Sequence, residues 1–277
     1  MIVIPFVKAH GAQNDFLLTW EEDVPQGITD LAAAGRTICD RNTGVGADGW
    51  IVVSRSQSQP AIQLWNSDGS RSEISGNGTR CAAALLVDSG NAQDEVHILT
   101  GAGLKTLKLI ERQGLLFRFE MNMGQARIEE LHSAVVPGRD SVILNVGNPQ
   151  CAVFCADFDF DWRALGAELE RHPRFPNRTN VSFVRVLDRH TLDVRFFERG
   201  AGETKSSGTG STGAAAAALA RGLVTGPVEV QTPAGPLNLC WEGADMMLTG
   251  PAEIVARGEF YFNAHNASAV RSENGQQ

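Results

Sequence analysis

Short apolar segments in which apolar and polar residues alternate run through the whole chain and predict β-strands in both halves. The Gly/Ser-rich loops between them twice lead into alanine-rich segments, which predict helices because alanine has the highest helix propensity. The predicted strands of the first half are IVIPFVKA, GWIVVSR, AIQLW, VHILTGAG and KTLKLIE, and those of the second half are SVILNVG, QCAVFCA, LDVRFF, VEVQTPAG and LNLCWEGADMMLTG. Sheet should therefore exceed helix in both halves.

The chain repeats itself once, at an offset of 132 residues that places Ser75 on Ser207. The segment WNSDGSRSEISGNGTRCAAALL, starting at Trp65, aligns without a gap with FERGAGETKSSGTGSTGAAAAAL, starting at Phe197. Upstream of both, DGWIVV falls on NVSFVRV at the same offset. An internal repeat decides the architecture. It predicts an α+β fold of two pseudo-symmetric lobes, with a ligand cleft between them that both Gly loops face.

The repeat also predicts where the chain divides. We place the N-terminal lobe at residues 1–117 and the C-terminal lobe at residues 118–277. A strand at about residues 256–270 is expected to return to the first lobe, and the polar end of the chain, HNASAVRSENGQQ, to fray.

Composition narrows the class of function. Hydrophobic residues make up 43% and charged residues 20% of the 277, no apolar run approaches the roughly 20 residues of a membrane helix, and no secretory signal is visible, so we expect a soluble cytoplasmic protein. The net charge of −8 comes without a basic stripe, which argues against nucleic acid. Five cysteines without a CxxC pair indicate reduced thiols, and six histidines without metal-ligand spacing indicate no metal site.

The two Gly loops are the candidate functional elements. Ser75-Gly-Asn-Gly and Ser207-Gly-Thr-Gly each open a predicted helix, where unpaired N–H groups and the helix dipole favour an anion. Two facing loops could hold one carboxylate, with the serines on opposite sides of the adjacent carbon. The alternative is that each serine is only a helix N-cap.

Six segments, in order, resemble the landmark segments of the diaminopimelate epimerases: KAHGAQNDF, CDRNTGVGADG, WNSDGSRSEISGNGTRC, NVGNPQCAVF, RTNVSF and ERGAGETKSSGTG. The resemblance spans nearly the whole chain. It implies a cofactor-independent epimerase that interconverts the LL and meso forms of diaminopimelate, a precursor of lysine and peptidoglycan, by two-base transfer of the α-proton. A small amino-acid substrate, no membrane partner and a homodimer as the candidate assembly are the corresponding expectations for partners.

The same resemblance implies the residues of the site. The catalytic positions, cysteines in the family, are Ser75 and Ser207 here. The substrate-binding positions are Asn14, Asn66, Gly76, Asn77, Asn148, Asn180, Glu198, Arg199, Gly208 and Thr209.

Departures from the family pattern keep other functions open. A serine hydroxyl is far less acidic than a thiol and needs a neighbouring base; Glu73 and Lys205, each two residues before a serine, are candidates. Gly49–Trp50 and Gln150 stand where relatives usually carry Gln and His. One alternative is a racemase, dehydratase or isomerase of the same fold acting on another amino or imino acid. The other is a catalytically silent ligand-binding relative or a Cys-to-Ser variant.

Overall fold

The computed structural model of the chain describes residues 2–55 and 59–262. Strands predominate among these residues, as the alternating pattern predicts. The helices are α1 (Leu31–Cys39), α2 (Gly76–Asp88), α3 (Trp162–Glu170) and α4 (Gly208–Ala220). The strands are β1 (Ile2–Gly11), β2 (Asn14–Trp20), β3 (Gly49–Ser54), β4 (Ala61–Asn66), β5 (Arg71–Ser72), β6 (Glu95–Thr100), β7 (Gly103–Gln113), β8 (Leu116–Gly124), β9 (Arg127–Ser133), β10 (Ser141–Asn145), β11 (Pro149–Phe154), β12 (Asn180–Asp188), β13 (Thr191–Glu198), β14 (Gly202–Thr204), β15 (Val228–Thr232), β16 (Gly235–Glu242) and β17 (Asp245–Phe262).

The first lobe is a closed barrel around α2. Its strands pair in the order β1, β2, β3, β4, β6, β7, β8 and β17, and β17 pairs back onto β1. The β2–β3 and β4–β6 pairs are parallel and the others antiparallel. Residues Gly76–Leu86 of α2 are all buried, because the barrel wall surrounds the helix on every side.

The second lobe wraps its strands around α4 in the order β9, β10, β11, β12, β13, β15, β16 and β17. Residues Gly208–Ala218 of α4 are buried, and all are Gly, Ala, Ser or Thr. A helix enclosed all round has no polar face. Side chains this small let the strands approach the helix closely, which explains the alanine run.

The sequence repeat is a repeat of structure. Helix α2 maps onto α4 residue for residue at the offset of 132, and α1 maps onto α3 within one residue. The parallel pair β2–β3 likewise recurs as the parallel pair β11–β12. These correspondences confirm the predicted α+β fold with two pseudo-symmetric lobes.

Strand β17 belongs to both lobes. Its first half pairs with β16 and β8, and its second half pairs with β1, from Glu253↔His10 to Phe262↔Ile2. The predicted division between residues 117 and 118 falls inside β8 and stays a prediction. Residues 263–270 of the predicted returning strand, and the polar end of the chain, lie outside the described residues.

The remaining helices, α1 and α3, cover the outer faces of the barrels. Ala34 and Ile38 of α1 pack in one buried cluster, and Trp162 and Leu169 of α3 pack in another. In the part of the chain that the structure describes, every helix is too short or too polar to cross a bilayer.

Candidate functional site

The N-termini of α2 and α4 meet at two glycines. A Cβ atom at Gly208 would lie 2.9 Å from the Cα atom of Gly76, and a Cβ at Gly76 would lie 3.0 Å from the Cα of Gly208. Real Cβ atoms do not approach backbone this closely, so the sequence allows the two helix ends to touch only because both positions are glycine. The Gly loops therefore face each other, as predicted.

Ser75 and Ser207 are the N-caps of these helices. The Oγ atom of Ser75 accepts a hydrogen bond from the N–H of Gly78 at 3.1 Å, and that of Ser207 accepts one from Gly210 at 3.0 Å. This capping satisfies one of the free N–H groups of each first turn. Both serines therefore act as helix N-caps, the alternative given in the sequence analysis. Any chemical role must come from their further contacts.

A cavity of about 30 Å³ lies between the lobes beside the two helix ends. Seven of the twelve predicted site residues line it: Asn14, Asn66, Ser75, Asn148, Asn180, Glu198 and Arg199. The other five, Gly76, Asn77, Ser207, Gly208 and Thr209, belong to the helix ends, where Ser207, Asn77 and Thr209 hydrogen-bond to Glu198, Asn14 and Asn148 respectively. The other lining residues are Phe16, Asp48, Ser72, Ile74 and Ala201.

Ser207 has a carboxylate partner. Its Oγ donates a hydrogen bond to Oε1 of Glu198 at 2.6 Å, and the Oγ1 of Thr204 donates to Oε2 at 2.7 Å. Burial raises the pKa of Glu198, while the two hydroxyl donors lower it and the carboxylate of Asp48 raises it further. A carboxyl group that accepts a hydrogen bond from a serine hydroxyl has the geometry of the neighbouring base that a reactive hydroxyl requires.

Ser75 lacks such a partner. Asn66 occupies the place of Glu198 in the repeat, 132 residues earlier, and its Nδ2 donates to Oγ of Ser70 at 3.0 Å. Among the described residues no carboxylate hydrogen-bonds to Ser75. The pseudo-symmetric site is therefore chemically asymmetric: among the described residues, a carboxyl group accepts a hydrogen bond from Ser207 but none does so from Ser75.

The two candidate bases of the sequence analysis point elsewhere. Glu73 forms an ion pair with Arg199, and Nζ of Lys205 donates to Oε1 of Gln13 at 3.2 Å. Both contacts join one lobe to the other. The idea that Glu73 and Lys205 activate the serines is wrong for this structure, because a residue two positions before a helix N-cap is turned toward the opposite lobe here.

The asparagines form a polar lining that spans both lobes. Nδ2 of Asn148 donates to Oγ1 of Thr209 at 3.3 Å, and Nδ2 of Asn180 donates to the carbonyl oxygen of Pro149 at 2.9 Å. Oδ1 of Asn180 accepts from the N–H of Arg199 at 3.0 Å. Carboxamides offer both donors and acceptors, so such a lining suits a ligand that carries both ammonium and carboxylate groups.

Asp48 is a cavity residue that the sequence analysis missed. Its Oδ2 accepts from Nδ2 of Asn14 at 2.7 Å, and its Oδ1 accepts from Nη2 of Arg41 at 2.8 Å. Burial and the neighbouring carboxylate of Asp15 raise the pKa of Asp48. The signal that could have found it is the repeat, since the counterpart of Asp48 is the predicted ligand Asn180.

The two departures from the family pattern, Trp50 and Gln150, differ in their position relative to the cavity. Trp50 is fully buried on the face of β3 that packs under α1, and its Nε1 donates to Oγ1 of Thr19 at 2.9 Å. Trp50 therefore does not line the cavity, so this departure from the family pattern does not favour a different ligand. Gln150 is also buried, but its Nε2 donates to Oδ1 of Asn148 at 2.7 Å, directly behind the lining.

The cysteines of this chain lie away from the cavity. All five cysteines are free, and none lines the cavity. Burial raises the pKa of Cys39, Cys81 and Cys151 to about 12, which keeps them protonated at neutral pH. Within residues 2–55 and 59–262, no cluster of three His, Cys, Asp or Glu side chains is placed to hold a metal ion.

Comparison with solved structures first establishes the class of fold. A hydroxyproline epimerase from Agrobacterium vitis, crystallised with bound trans-4-hydroxy-L-proline, superposes with a TM-score of 0.76 over 96% of this chain and 95% of its own, at 15% identity. A phenazine biosynthesis protein from Bacillus anthracis superposes with a TM-score of 0.71 over 95% and 100%, at 13% identity. These similarities define a duplicated two-lobed α+β fold.

The sequence then identifies the family. The sequence model of diaminopimelate epimerase matches residues 6–129 and 142–255. The diaminopimelate epimerases of Pelotomaculum thermopropionicum and Moorella thermoacetica are 36% and 37% identical to this chain, each over 92% of it and 98% of their own length. The chain belongs to the diaminopimelate epimerase family. This confirms the resemblance seen in the sequence and places the chain among the epimerase-type isomerases.

Proposed function

We propose that the protein binds diaminopimelate between its lobes and transfers the α-proton at one of its two amino-acid centres, interconverting the LL and meso forms. The proposal is supported by the family and by the cavity lining. Four asparagines from both lobes, together with Arg199, surround the space. Such a lining supplies hydrogen bonds for the ammonium and carboxylate groups at both ends of a doubly zwitterionic ligand.

The single observation that carries the proposal is the hydrogen bond from Ser207 to Glu198 at 2.6 Å, beside the meeting point of the helix N-termini. As the Cα–H bond breaks, Oγ of Ser207 takes the α-proton while its own hydroxyl proton passes to the Glu198 carboxylate. The electron pair of the broken bond delocalises into the ligand carboxylate, which the N–H groups of the two helix ends stabilise. No cofactor enters this step.

The opposite face depends on Ser75. To complete an inversion, its hydroxyl must deliver a proton to the carbanion and be reprotonated from water, without a carboxylate beside it. We therefore expect removal and return of the proton on the Ser207 face to be faster than inversion. Exchange with solvent should exceed epimerisation.

The same asymmetry favours a second candidate, a binding protein that retains the ligand-binding groups but turns over slowly or not at all. Ser75 accepts its hydrogen bond from Gly78 and acts as a helix cap, which needs no chemistry. The racemase, dehydratase and isomerase alternatives act on another amino or imino acid, so a test for binding of diaminopimelate distinguishes them from the proposed function.

The test is proton NMR of LL- and meso-diaminopimelate incubated with the protein in D₂O, beside Ser75→Cys, Ser207→Cys and the double variant. We expect deuterium at the α-carbon with slow inversion for the unaltered chain, and faster inversion for Ser75→Cys because a thiol is the stronger acid. Binding with neither exchange nor inversion in any variant would favour the silent binding protein. Absence of binding would show that diaminopimelate is the wrong ligand.

A further inference from the structure

Arg80, on α2, is a buried cation with no acidic partner among the described residues. Its side chain is fully buried; Nε donates to the carbonyl oxygen of Pro251 at 3.0 Å, and Nη2 donates to Oδ1 of Asn77. Nη1 is buried without a hydrogen-bond partner in the described part of the chain. Burial lowers the pKa of Arg80 to about 10, which still leaves the guanidinium charged at neutral pH. Burying an unpaired charge is costly, so its retention calls for a role.

Arg80 fixes the direction of a chain of side-chain amides. A guanidinium only donates, so the amide oxygen of Asn77 must face it. Nδ2 of Asn77 then donates to Oδ1 of Asn14 at 3.2 Å and to the carbonyl oxygen of Ser206 at 3.1 Å. Nδ2 of Asn14 in turn donates to Asp48. A cation that only donates and a carboxylate that only accepts thus stand at the two ends, and neither asparagine is free to flip.

The chain of amides crosses the lobe boundary at the point where the helix ends meet. Ser206 belongs to the second lobe, directly before the N-cap of α4, while Asn77 lies in the first turn of α2. The hydrogen bond from Asn77 to Ser206 therefore forms only when the two lobes are close together. Arg80 holds Asn77 in the orientation that makes this bond.

The repeat shows that this charge is present on one side only. The counterpart of Arg80 on α4 is Thr212, whose Oγ1 donates to the carbonyl oxygen of Gly208 at 2.8 Å. The N-terminal end of α2 thus has a full positive charge one turn away, whereas α4 has the carboxylate of Glu198 beside its N-cap. An anion placed between the helices is attracted more strongly toward α2.

We propose that Arg80 is a positioning residue that orients Asn77 and supplies the buried positive charge that the carboxylate of a bound amino acid neutralises. This inference rests on the proposed function in that it takes the ligand of the cavity to be a carboxylate. Arg80 acts through Asn77 and through its field.

The experiment is calorimetric titration of meso-diaminopimelate into the unaltered chain, Arg80→Gln, Arg80→Lys and the matched control Thr212→Val. We expect Arg80→Gln to weaken binding by roughly 10- to 100-fold, because the buried positive charge and the fixed orientation of Asn77 are both lost. Arg80→Lys should weaken binding less, and Thr212→Val should change it by less than about twofold. Unaltered binding by a folded Arg80→Gln chain, or an equal loss with Thr212→Val, overturns the inference.

A second variant keeps the test independent of folding. Asn77→Asp gives Arg80 an acidic partner, so it should raise the thermal midpoint and weaken binding of the carboxylate at least about tenfold. Retention of full affinity in this variant also overturns the inference. If the unaltered chain does not bind diaminopimelate, this result contradicts the proposed function but not the inference about Arg80. Acetate then replaces diaminopimelate as the probe, and its binding is followed by NMR. Acetate that binds Arg80→Gln as well as the unaltered chain, or binds neither, overturns the inference about Arg80.

Discussion

Glu198 is placed where catalysis and stability make opposite demands on one carboxyl group. The pKa of Glu198 is raised above the ordinary value of 4.5 for a glutamate carboxyl group, which means that the folded protein favours the protonated form. The resulting contribution to stability is fully present below about pH 4.5 and is lost as pH rises through the raised value. Proton abstraction needs the ionised form, so the acid limb of exchange activity should lie above pH 4.5.

Substitution of Glu198 by Gln should separate the two demands. We expect α-proton exchange to fall at least about 100-fold, the usual value of a general base. At pH 7 the thermal midpoint should rise by roughly 2–4 °C, because the neutral side chain avoids the burial of a charge. The control is Glu203→Gln, which removes an exposed carboxylate on β14 of the same hairpin that pairs with Arg163 of α3. Exchange that survives in Glu198→Gln would assign the proton transfer to another group.

The contact between Gly76 and Gly208 makes a second prediction at this scale. In Gly208→Ala the added methyl would meet backbone, which cannot move aside as a side chain can. We expect a loss of about 1–3 kcal/mol in the free energy of unfolding, measured with urea, and at least about a tenfold loss of ligand affinity as the helix ends part.

Gly213→Ala, farther along α4, is the matched control. Its added methyl would meet a side chain, that of Gln150 at 3.2 Å, instead of backbone, and alanine is the better helix former. Equal losses in the two variants would mean that the close approach of the helices is unimportant.

At the scale of elements, the repeat made most of the fold predictable. Once Ser75 is aligned with Ser207, the strand, loop and helix of one copy predict those of the other, and α2 and α4 follow that prediction residue for residue. Helices α1 and α3 did not stand out in the sequence. Each has nine residues and contains a glycine, Gly35 in α1 and Gly166 in α3, so neither offers the long apolar periodicity from which a helix is predicted.

The sequence predicted which residues surround the cavity, but it did not predict the hydrogen bonds among them. Family order located Glu198, yet its partner Ser207 depends on the β13–β14 hairpin, whose turn at Gly200 has a φ of 78° and folds the chain back on itself. Local spacing suggested Lys205 instead. Spacing along an extended chain tells which side chains share a face, and it fails where a turn intervenes.

For the molecule as a whole, two side-chain contacts join one lobe to the other. The space of about 30 Å³ is smaller than an amino acid, so we predict that the lobes separate to admit the proposed ligand. The contacts that must break include the Glu73–Arg199 ion pair and the hydrogen bond from Lys205 to Gln13. Arg199 also lines the cavity, so under the proposed function Glu73 would compete with the ligand carboxylate for the same guanidinium.

Glu73→Gln should therefore speed ligand association, by roughly two- to fivefold as expected for a partly exposed ion pair worth under about 1 kcal/mol. Stopped-flow binding measures the rate constant. The control is Glu129→Gln, which breaks an exposed pair with Arg127 inside one lobe and should leave association unchanged. A slower rate in Glu73→Gln would mean that the pair guides the lobes together instead of restraining them.

Strand β17 has a consequence for how the protein is made. The barrel of the first lobe closes only when residues 253–262 pair with β1, and β17 is synthesised after strands β9 to β16 of the second lobe. Until then β1 and β8 are each paired on one side only, and the nascent chain carries an unclosed barrel with two unpaired strand edges. Such edges invite pairing with other chains. During translation the first lobe should therefore depend on chaperones more than the second, although the two are built from the same repeat.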